Sequence, residues 1–308
     1  MIYNKINVGV VGLGYLGKFH YQKYKANKYT KLTAIVDTND ENINELESDK
    51  VFKTNNYKDL IDIVDAVSIV TPTTTHYEIA RFFLENNINV LLEKPMTETI
   101  IQAKKLNAIA KKNKVVLQIG HLEQFNPAII KLKSDSIQPQ FIEVHRLCKY
   151  NPRANDVDVV LDLMIHDIDI VLSLVDQKIK RLSVSGKKIL TKLTDIANVR
   201  IEFNNNIVAN LTASRISTKN ERKMRIFSKN SYYSIDFINN ELKKLIKKKD
   251  NMFKTHSHKY KKSDSLNEEI KNFINTCRGK ELSMTTGECG ENALKVAKKI
   301  TGALQKND

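Results

Sequence analysis

The amino-acid sequence predicts an α/β protein in two parts, a doubly wound parallel sheet followed by an α/β part with a mostly antiparallel sheet. A valine-rich run enters a glycine-rich turn at residues 8–20, which is typical of a first strand leading into a helix. Strand-like and helix-like segments then alternate as far as residue 120. Between residues 180 and 246, strand-like runs follow one another with turn signals between them.

The glycine-rich turn has the pattern G-x-G-x-x-G, in which each glycine meets a different steric need. Gly12 makes the turn, Gly14 lets the backbone approach a pyrophosphate, and Gly17 lets the helix pack on the strand. The helix that begins here offers free N–H groups and a positive dipole end to phosphates. We therefore expect a dinucleotide to bind at Gly12, Leu13, Gly14, Tyr15, Leu16 and Gly17.

Asp37 indicates which dinucleotide is bound. It ends a second apolar segment and follows Gly17 by about 20 residues, where such folds place the acid that binds the ribose hydroxyls. No arginine follows Asp37, and its carboxylate would repel a 2′-phosphate. The sequence therefore favours NAD over NADP. The alternative is that Asp37 is only a turn residue in the segment 37–40.

Apolar runs and helical spacing predict the other elements of the first part, and Gly120 marks its end. We therefore place an NAD-binding domain at residues 1–120 and a substrate-binding and oligomerisation domain at 121–308, with the last helix able to pack back on the first domain. The first part has a helix to about residue 25, strands at 31–36, 66–70, 89–92 and 115–119, and helices at 77–86 and 99–113. The second has helices at 127–133, 159–175, 265–278 and 288–305 and strands at 141–148 and within 180–246.

The composition excludes several classes of protein. The chain has 308 residues, 41% of them hydrophobic and 28% charged, which is ordinary for a globular protein with two cores. The net charge of +15 suggests nucleic acid or an anionic membrane, but the lysines are spread along the whole chain. The densest basic stretch, residues 243–262, is interpreted as a solvated hairpin and loop. We expect neither nucleic acid nor membrane as a partner, although a positive field would attract a phosphorylated substrate.

The cysteines and the amino terminus point to the cytoplasm. Cys148, Cys277 and Cys289 are scattered and form no C-x-x-C motif, so we expect neither a disulfide framework nor a zinc site. The first strand begins almost at once, without the apolar region of a signal peptide. No apolar run approaches the ~20 residues that a membrane helix needs.

Two polar motifs follow predicted strands of the first part, where ligands bind in open α/β sheets. Thr71 and Pro72, with His76 four residues further on, would either face the cofactor or simply cap the next helix. The second motif is Glu93-Lys94, whose two residues are candidates for cofactor binding, followed by a proline that fixes the lysine near a substrate hydroxyl. The alternative for Lys94 is an ordinary exposed lysine.

Two further segments are candidates for substrate binding. The crossing at residues 120–127, which contains His121 and Asn126, is expected to line the cleft. Asp162 and His166 are four residues apart in an otherwise apolar helix, so they share one face and suit a general base supported by a carboxylate. The alternative is an acidic helix start with a buried structural histidine. A metal site at this position lacks an evident third ligand, so we expect none.

Together these motifs resemble the Gfo/Idh/MocA oxidoreductases. The resemblance covers essentially the whole chain and extends to the tail, where Glu268-Glu269-Ile270-x-x-Phe273 and Gly287-Glu288 also fit. It implies a Rossmann domain followed by an α/β domain with an open, mostly antiparallel sheet, whose outer face commonly makes dimers or tetramers. It also implies that Lys94, Asp162 and His166 form the catalytic set.

A finer resemblance concerns the substrate. Residues 120–128 and 153–169 look like a branch of the family that oxidises C3 of UDP-N-acetylglucosamine, on the way to 2,3-diamino-sugar lipid A. Gln124 departs from the arginine common before Phe-Asn-Pro in similar sequences. Arg146 and Arg153 are then candidates for the substrate diphosphate, because the guanidinium fork suits phosphate, or else are exposed surface arginines. The alternatives are a dehydrogenase of inositol or another polyol, and a non-catalytic regulator that senses NAD or a sugar.

Overall fold

The computed structural model describes residues 5–46, 50–150, 157–248, 252–261 and 263–306. The chain divides into two units. The first comprises Met1–Phe125 and Asp264–Glu291, and the second comprises Asn126–Ser263 and Asn292–Asp308. The first unit therefore ends five residues after the boundary expected at residue 120, and the chain returns to it with residues 264–291.

The first unit contains a parallel sheet of six strands. These are β1 (Ile6–Val11), β2 (Thr30–Val36), β3 (Phe52–Thr54), β4 (Ala66–Ile69), β5 (Asn89–Leu92) and β6 (Leu117–Ile119). They lie in the order β3-β2-β1-β4-β5-β6, and every neighbouring pair is parallel. The order reverses between β1 and β4, and ligands bind beside the carboxyl ends of strands at such a reversal.

The helices between these strands are α1 (Tyr15–Ala26), α2 (Asp40–Asn44), α3 (Thr73–Glu85) and α4 (Ile100–Asn113). Helix α4 begins with a capping box, in which the Thr99 hydroxyl accepts from the Gln102 N–H and the Gln102 side chain accepts from the Thr99 N–H. Helix α1 packs on the sheet through a face that includes Gly17, His20 and Tyr24. Two polar residues therefore lie on the buried face of the first helix.

The second unit contains a sheet of eight strands. These are β7 (Pro139–Leu147), β8 (Ile179–Lys187), β9 (Ile196–Phe203), β10 (Val208–Ser214), β11 (Glu221–Ser228), β12 (Ser231–Asp236), β13 (Glu241–Lys247) and β14 (Phe253–Lys259). The order is β14-β13-β12-β11-β7-β10-β9-β8. Strands β7 and β10 pair in parallel and all other neighbours are antiparallel, which confirms the predicted mostly antiparallel sheet.

The remaining helices are α5 (Pro127–Ser134), α6 (Ile165–Leu174), α7 (Ser265–Cys277) and α8 (Gly287–Lys306). The long helix predicted at 159–175 is α6 preceded by a π-helical turn, Val160–Met164, in which the Ile165 N–H reaches the Val160 carbonyl. Apolar side chains of α7 join the core of the first unit beside β1. None of the helices described here is long and apolar enough to cross a membrane.

Most predicted elements form within a few residues of their expected ends. Strand β5 matches its prediction at both ends, helices α4, α5 and α7 differ by one residue at one end, and α8 differs by one residue at each end. Helix α3 starts at Thr73, four residues before the predicted residue 77, with Pro72 as its N-cap. A proline is tolerated at a helix start because the N–H that proline lacks would have no partner within the helix there. Strand β3 and helix α2 were not expected, since three and five residues are too few to show a period.

A buried ion pair, Asp195 with Arg215, ties together the loops near the start of the π-helical turn. The Asp195 carboxylate accepts three consecutive backbone N–H groups at residues 189–191, at 2.7–2.9 Å, and lies 3.3 Å from Arg215 Nε. Arg215 Nη2 donates to the carbonyls of Val157, at 2.7 Å, and Thr194, at 3.0 Å. Both side chains are buried, so the loop from β8 to β9 and the chain at Val157 share one charged anchor.

We expect Asp195→Asn to lower the free energy of unfolding at neutral pH by roughly 3 kcal/mol, since it leaves Arg215 without its counter-charge. Burial would raise the pKa of the Asp195 carboxyl, but hydrogen bonds from Thr191, Ile189 and Leu190 lower it to about 2. A carboxyl with a lowered pKa stabilises the fold above its unfolded pKa and loses this contribution as the pH falls through the folded one. Urea titrations should therefore show that wild-type stability falls between about pH 4 and pH 2 more steeply than that of the variant.

The control for this experiment is Asp176→Asn, which changes an exposed carboxylate in the same unit. Parallel stability profiles for the wild type and Asp195→Asn over this acid range would show that the anchor contributes nothing.

Candidate active site

The glycine-rich turn lies between β1 and α1 and leaves room for a phosphate. Gly12 has a φ of +92°, which L side chains rarely adopt, and its N–H donates to the Val36 carbonyl at 2.8 Å. A Cβ on Gly17 would lie 1.9 Å from the Gly12 carbonyl oxygen, so helix and turn can meet only at glycine. A Cβ on Gly14 would meet no atom within 4 Å. The open space predicted for a pyrophosphate is therefore at Gly14.

Asp37 follows β2 and contacts the glycine-rich turn directly. Its Oδ2 accepts the Leu13 N–H at 2.6 Å, and its Oδ1 accepts the Asn39 N–H at 2.8 Å. The second bond is the turn contact expected from the alternative interpretation. An ionised carboxylate has about four acceptor positions, so two backbone bonds leave capacity for ribose hydroxyls.

A cavity of about 650 Å³ opens at this edge of the sheet. It joins the two sequence signals, since Gly14, Asp37, Thr71 and Pro72 all line it. Helix α1 begins there without a side-chain cap and without an acidic residue in its first turn, so its N–H groups are available to an anion. Tyr15 is 84% exposed at this helix start. The open space at Gly14, the acceptor at Asp37 and the uncapped helix fit a dinucleotide.

His76 lies beneath this cavity with both ring nitrogens against backbone carbonyls. Nδ1 is 2.9 Å from the Pro95 oxygen, and Nε2 is 2.9 Å from the Thr71 oxygen. Burial lowers the pKa of His76, so the ring is neutral and donates to one of the two carbonyls. The histidine thus joins the chain after β4 to the chain after β5. Its predicted contact with the cofactor stays a prediction.

The Glu93-Lys94 motif follows β5, but the two side chains differ in environment. Lys94 is half-buried, whereas Glu93 is only 6% exposed. The Lys94 N–H donates to Glu93 Oε2 at 3.2 Å, and Glu93 Oε1 lies 3.3 Å from Nε2 of the buried His20. Glu269 of α7 is fully buried nearby, and its carboxyl has no hydrogen-bond partner among the described residues. Burial, then the charge of Glu93, raises the pKa of Glu269 well above its usual value.

Sequence reasoning missed His20 and Glu269 as parts of this cluster, although helical spacing marks both. His20 is one turn before the buried Tyr24, and Glu269 is one turn before the buried Phe273. A polar residue in phase with a buried apolar face is the signal that would have found them.

His121 and Asn126, the predicted substrate-binding residues of the segment 120–127, are both buried, and one lies in each unit. His121 is 1% exposed in the first unit, where its backbone N–H donates to the Ile119 carbonyl at 2.7 Å. Asn126 begins the second unit as the N-cap of α5, and its Oδ1 accepts the Ala128 N–H at 2.9 Å. Asn126 therefore has a structural partner, and the role of either residue in substrate binding stays a prediction.

Asp162 and His166 lie on the π-helical turn and at the start of α6. Four residues are slightly more than one turn of an α-helix and slightly less than one π-helical turn, so the two side chains still share a face. Asp158 begins this stretch, where its Oδ1 accepts the N–H groups of Val160 and Leu161 at 2.9 and 3.0 Å. Asp162 is half-buried and His166 is 8% exposed. π-Helical turns often occur at functional sites, and this one carries Asp162 and directly precedes His166, the predicted base.

Arg146 is buried, where sequence reasoning expected a phosphate ligand or an exposed arginine. It is in phase with Ile142 and Val144, which face the core from β7. Its Nε and Nη2 each donate to one Asp167 oxygen at 2.8 Å, a bidentate pair. Arg146 therefore holds the residue next to His166. Arg153, the other arginine candidate, lies outside the described residues.

The described residues contain no group of three or more histidine, cysteine, aspartate or glutamate side chains that could hold a metal ion. The first unit contains a cleft that fits a dinucleotide, and the second unit carries Asp162 and His166 on one face of a helix. This combination defines an oxidoreductase of the NAD-binding Rossmann class.

Comparisons with known proteins give the family. A model described as an oxidoreductase family with an NAD-binding Rossmann fold matches residues 6–121, and the GFO/IDH/MocA C-terminal domain matches residues 140–233. The chain is 34% identical to a UDP-N-acetylglucosamine 3-dehydrogenase of Acidithiobacillus ferrooxidans over 97% of both chains. It is 23% identical to a myo-inositol 2-dehydrogenase of Thermotoga maritima over 94% of this chain and 93% of that one. The protein belongs to the Gfo/Idh/MocA oxidoreductase family.

Solved structures agree with this assignment. A structure of the Acidithiobacillus ferrooxidans enzyme matches with a TM-score of 0.92 and covers 99% of each chain. A scyllo-inositol dehydrogenase from Lactobacillus casei, with bound NAD(H) and scyllo-inositol, has a TM-score of 0.83 at 18% identity, covering 99% of this chain and 98% of that one. The second likeness shows the fold. The predicted family, fold class and cofactor are thereby confirmed.

We expect Asp37→Ala to weaken NADH binding by about ten-fold or more, because a charged acceptor for the ribose and for the Leu13 N–H is lost. Binding of NADPH should weaken less, since the carboxylate no longer repels a 2′-phosphate. Fluorescence titration with both nucleotides measures this. Asp62→Ala, an exposed aspartate that does not line the cavity, is the control. Unchanged NADH affinity would contradict the ribose role of Asp37.

We expect Glu269→Gln to raise the melting temperature increasingly as the pH rises. Because the pKa of Glu269 is raised in the folded state, its contribution to stability is complete below the unfolded pKa and is lost as the pH rises through the folded one. Glutamine has the same shape and no such loss. Melting curves from about pH 5 to pH 8 should therefore diverge. Glu268→Gln, on the exposed side of α7, is the control, and a constant difference across this range would refute the prediction.

Proposed function

We propose that the protein oxidises the C3 hydroxyl of UDP-N-acetylglucosamine to the 3-keto sugar nucleotide, with NAD as the oxidant. The observation that carries this proposal is the 34% identity to a UDP-N-acetylglucosamine 3-dehydrogenase over 97% of both chains. The identity extends over the substrate-binding part as well as the cofactor domain. Residues 120–128 and 153–169 support the same branch from the sequence alone.

In this proposal the first unit binds the cofactor. Gly14 leaves space for the pyrophosphate, the N–H groups at the start of α1 compensate its charge, and Asp37 accepts the ribose hydroxyls. When bound, NAD supplies the acceptor for the hydride that leaves the sugar carbon. The protein contributes alignment and electrostatics.

The proton chemistry is assigned to three side chains. His166 removes the hydroxyl proton as general base, and Asp162 orients the imidazole and stabilises its charged form. Lys94 stabilises the negative charge that develops on the oxygen.

We assign Arg146 a positioning role in place of phosphate binding. Its guanidinium already forms the bidentate pair with Asp167, and breaking a buried pair of this kind would leave a charge uncompensated. The pair instead fixes the helix position beside His166. Arg153 is then the remaining arginine candidate for the diphosphate.

We further propose that copies of the chain associate as a homodimer or homotetramer through the outer face of the eight-stranded sheet. Phe141, Phe227 and Tyr232 lie out of phase with the core residues of their strands and contact one another, with ring centroids 6.0 and 5.0 Å apart. An aromatic row on a sheet face suits an interface.

We also propose a cytoplasmic location and a place in lipid A biosynthesis, since the 3-keto sugar nucleotide that the protein would form is a substrate for amination.

The test is mass spectrometry of UDP-N-acetylglucosamine after incubation with the protein and NAD. An aminotransferase with glutamate should be included, because the ketone is expected to be unfavourable at equilibrium. The expected result is loss of two hydrogens from the sugar, or its 3-amino derivative. If NADH forms from inositol or a free sugar instead, that compound replaces UDP-N-acetylglucosamine as the proposed substrate. If the protein binds NAD but turns over no polyol, a non-catalytic sensor is favoured over an enzyme.

Lys94→Ala and His166→Ala should each lower kcat by about 100-fold or more while NADH still binds, because each removes an interaction made in the transition state. Lys104→Ala, an exposed lysine of α4, is the matched control. Wild-type turnover in either catalytic variant would remove that residue from the mechanism.

A further inference from the structure

A chain of buried polar contacts connects the core of the first unit to Lys94, and the mechanism above leaves it unused. The Tyr24 hydroxyl lies 2.7 Å from Ser68 Oγ, and Ser68 Oγ lies 3.1 Å from Nδ1 of His20. Nε2 of His20 lies 3.3 Å from Glu93 Oε1, and Glu93 Oε2 accepts the Lys94 N–H. His20 is fully buried, with Ser68 Oγ beside one ring nitrogen and the Glu93 carboxylate beside the other.

The donors and acceptors along this chain agree with one direction. Burial raises the pKa of Tyr24, so this residue keeps its proton and can donate to Ser68. Ser68 can then donate to Nδ1 of His20, an assignment that puts a ring proton on Nε2, facing Glu93. Nε2 and Oε1 lie 3.3 Å apart but are not aligned as a hydrogen bond, and neither atom has a hydrogen-bond partner in the described part of the chain. The two atoms are therefore each other's natural partners.

The carboxylate of Glu93 is directed inward by the space around it. A Cβ on Gly120 would lie 2.8 Å from Cδ and from both carboxylate oxygens of Glu93, so any other residue at position 120 would require the carboxylate to shift. Burial, then the charge of Glu93, raises the pKa of Glu269, which favours its uncharged form beside Glu93. The carboxylate of Glu93 thus has two defined neighbours, the His20 ring and the Lys94 N–H.

We propose that His20 and Glu93 form a buried positioning pair, which fixes the Lys94 backbone and thereby directs the Lys94 side chain to the substrate hydroxyl. The proposal rests on the catalytic role of Lys94 given above. It changes the role expected for Glu93 from cofactor contact to holding its neighbour in the chain. His20 becomes a residue of the reaction that never touches substrate or cofactor.

The test compares two amide variants at one position. The amide of His20→Gln can reach the place of Nε2 and keep a donor towards Glu93, whereas that of His20→Asn reaches only the place of Nδ1 and the Ser68 side. We expect kcat to fall about ten-fold in His20→Asn and to stay within about three-fold of wild type in His20→Gln. The Kd of NADH and the KM of the sugar should change little in both.

Hydrogen exchange at the Lys94 backbone amide gives a readout that needs no turnover. Exchange should be faster in His20→Asn than in wild type, because the Glu93 acceptor is no longer held, and close to wild type in His20→Gln. If His20→Asn does not fold, Glu93→Gln serves in its place, since it keeps the shape and weakens the acceptor. It should show the same faster exchange and lower kcat.

The Lys94→Ala variant separates failure of this proposal from failure of the proposed function. A kcat loss in Lys94→Ala, with His20→Asn adding nothing when the two are combined, supports the pair. Equal kcat and equal exchange in His20→Asn and His20→Gln, with Lys94→Ala still impaired, would overturn the pair alone. Wild-type turnover in Lys94→Ala would overturn the catalytic role on which the pair rests, whatever the exchange rates show.

Discussion

The close approach of Gly17 to the Gly12 carbonyl is the constraint on which the cofactor site depends. Because a Cβ would lie 1.9 Å from that oxygen, the first helix can begin directly behind the turn only with glycine at this position. The turn then presents the Leu13 N–H to Asp37, and Gly14 faces open space. This one backbone contact therefore positions the start of helix α1, the Asp37 carboxylate and the open space for the phosphate relative to one another.

Buried ion pairs organise the second unit, whereas a close backbone contact organises the cofactor site of the first unit. The Arg146–Asp167 pair lies inside its core, and the Asp195–Arg215 anchor ties the loop before β9 to the chain at Val157. Buried pairs of this kind stabilise little compared with apolar packing, but breaking one is costly. They are better suited to holding one arrangement of the π-helical turn than to stabilising the fold.

The fold could be predicted from the sequence because its signals are local. The G-x-G-x-x-G turn, the apolar runs and the helix caps each act over a few residues, and β5 and α4 form almost where they are expected. The π-helical turn could not be predicted, because its i→i+5 hydrogen bond does not change the spacing of the apolar residues. Arg146 shows the other limit, because its residue type suggests phosphate while its phase with Ile142 and Val144 decides its burial.

Two of the three predicted catalytic residues, Lys94 and His166, are chain neighbours of a buried carboxylate. Glu93 precedes Lys94 and faces His20, whereas Asp167 follows His166 and is held by Arg146. A flexible side chain that must reach a substrate is precise only if its backbone is held in place, and satisfied buried polar contacts make a local arrangement more rigid. In both units we therefore infer that the buried carboxylate positions the predicted catalytic residue beside it in the chain. This gives each buried charge a function.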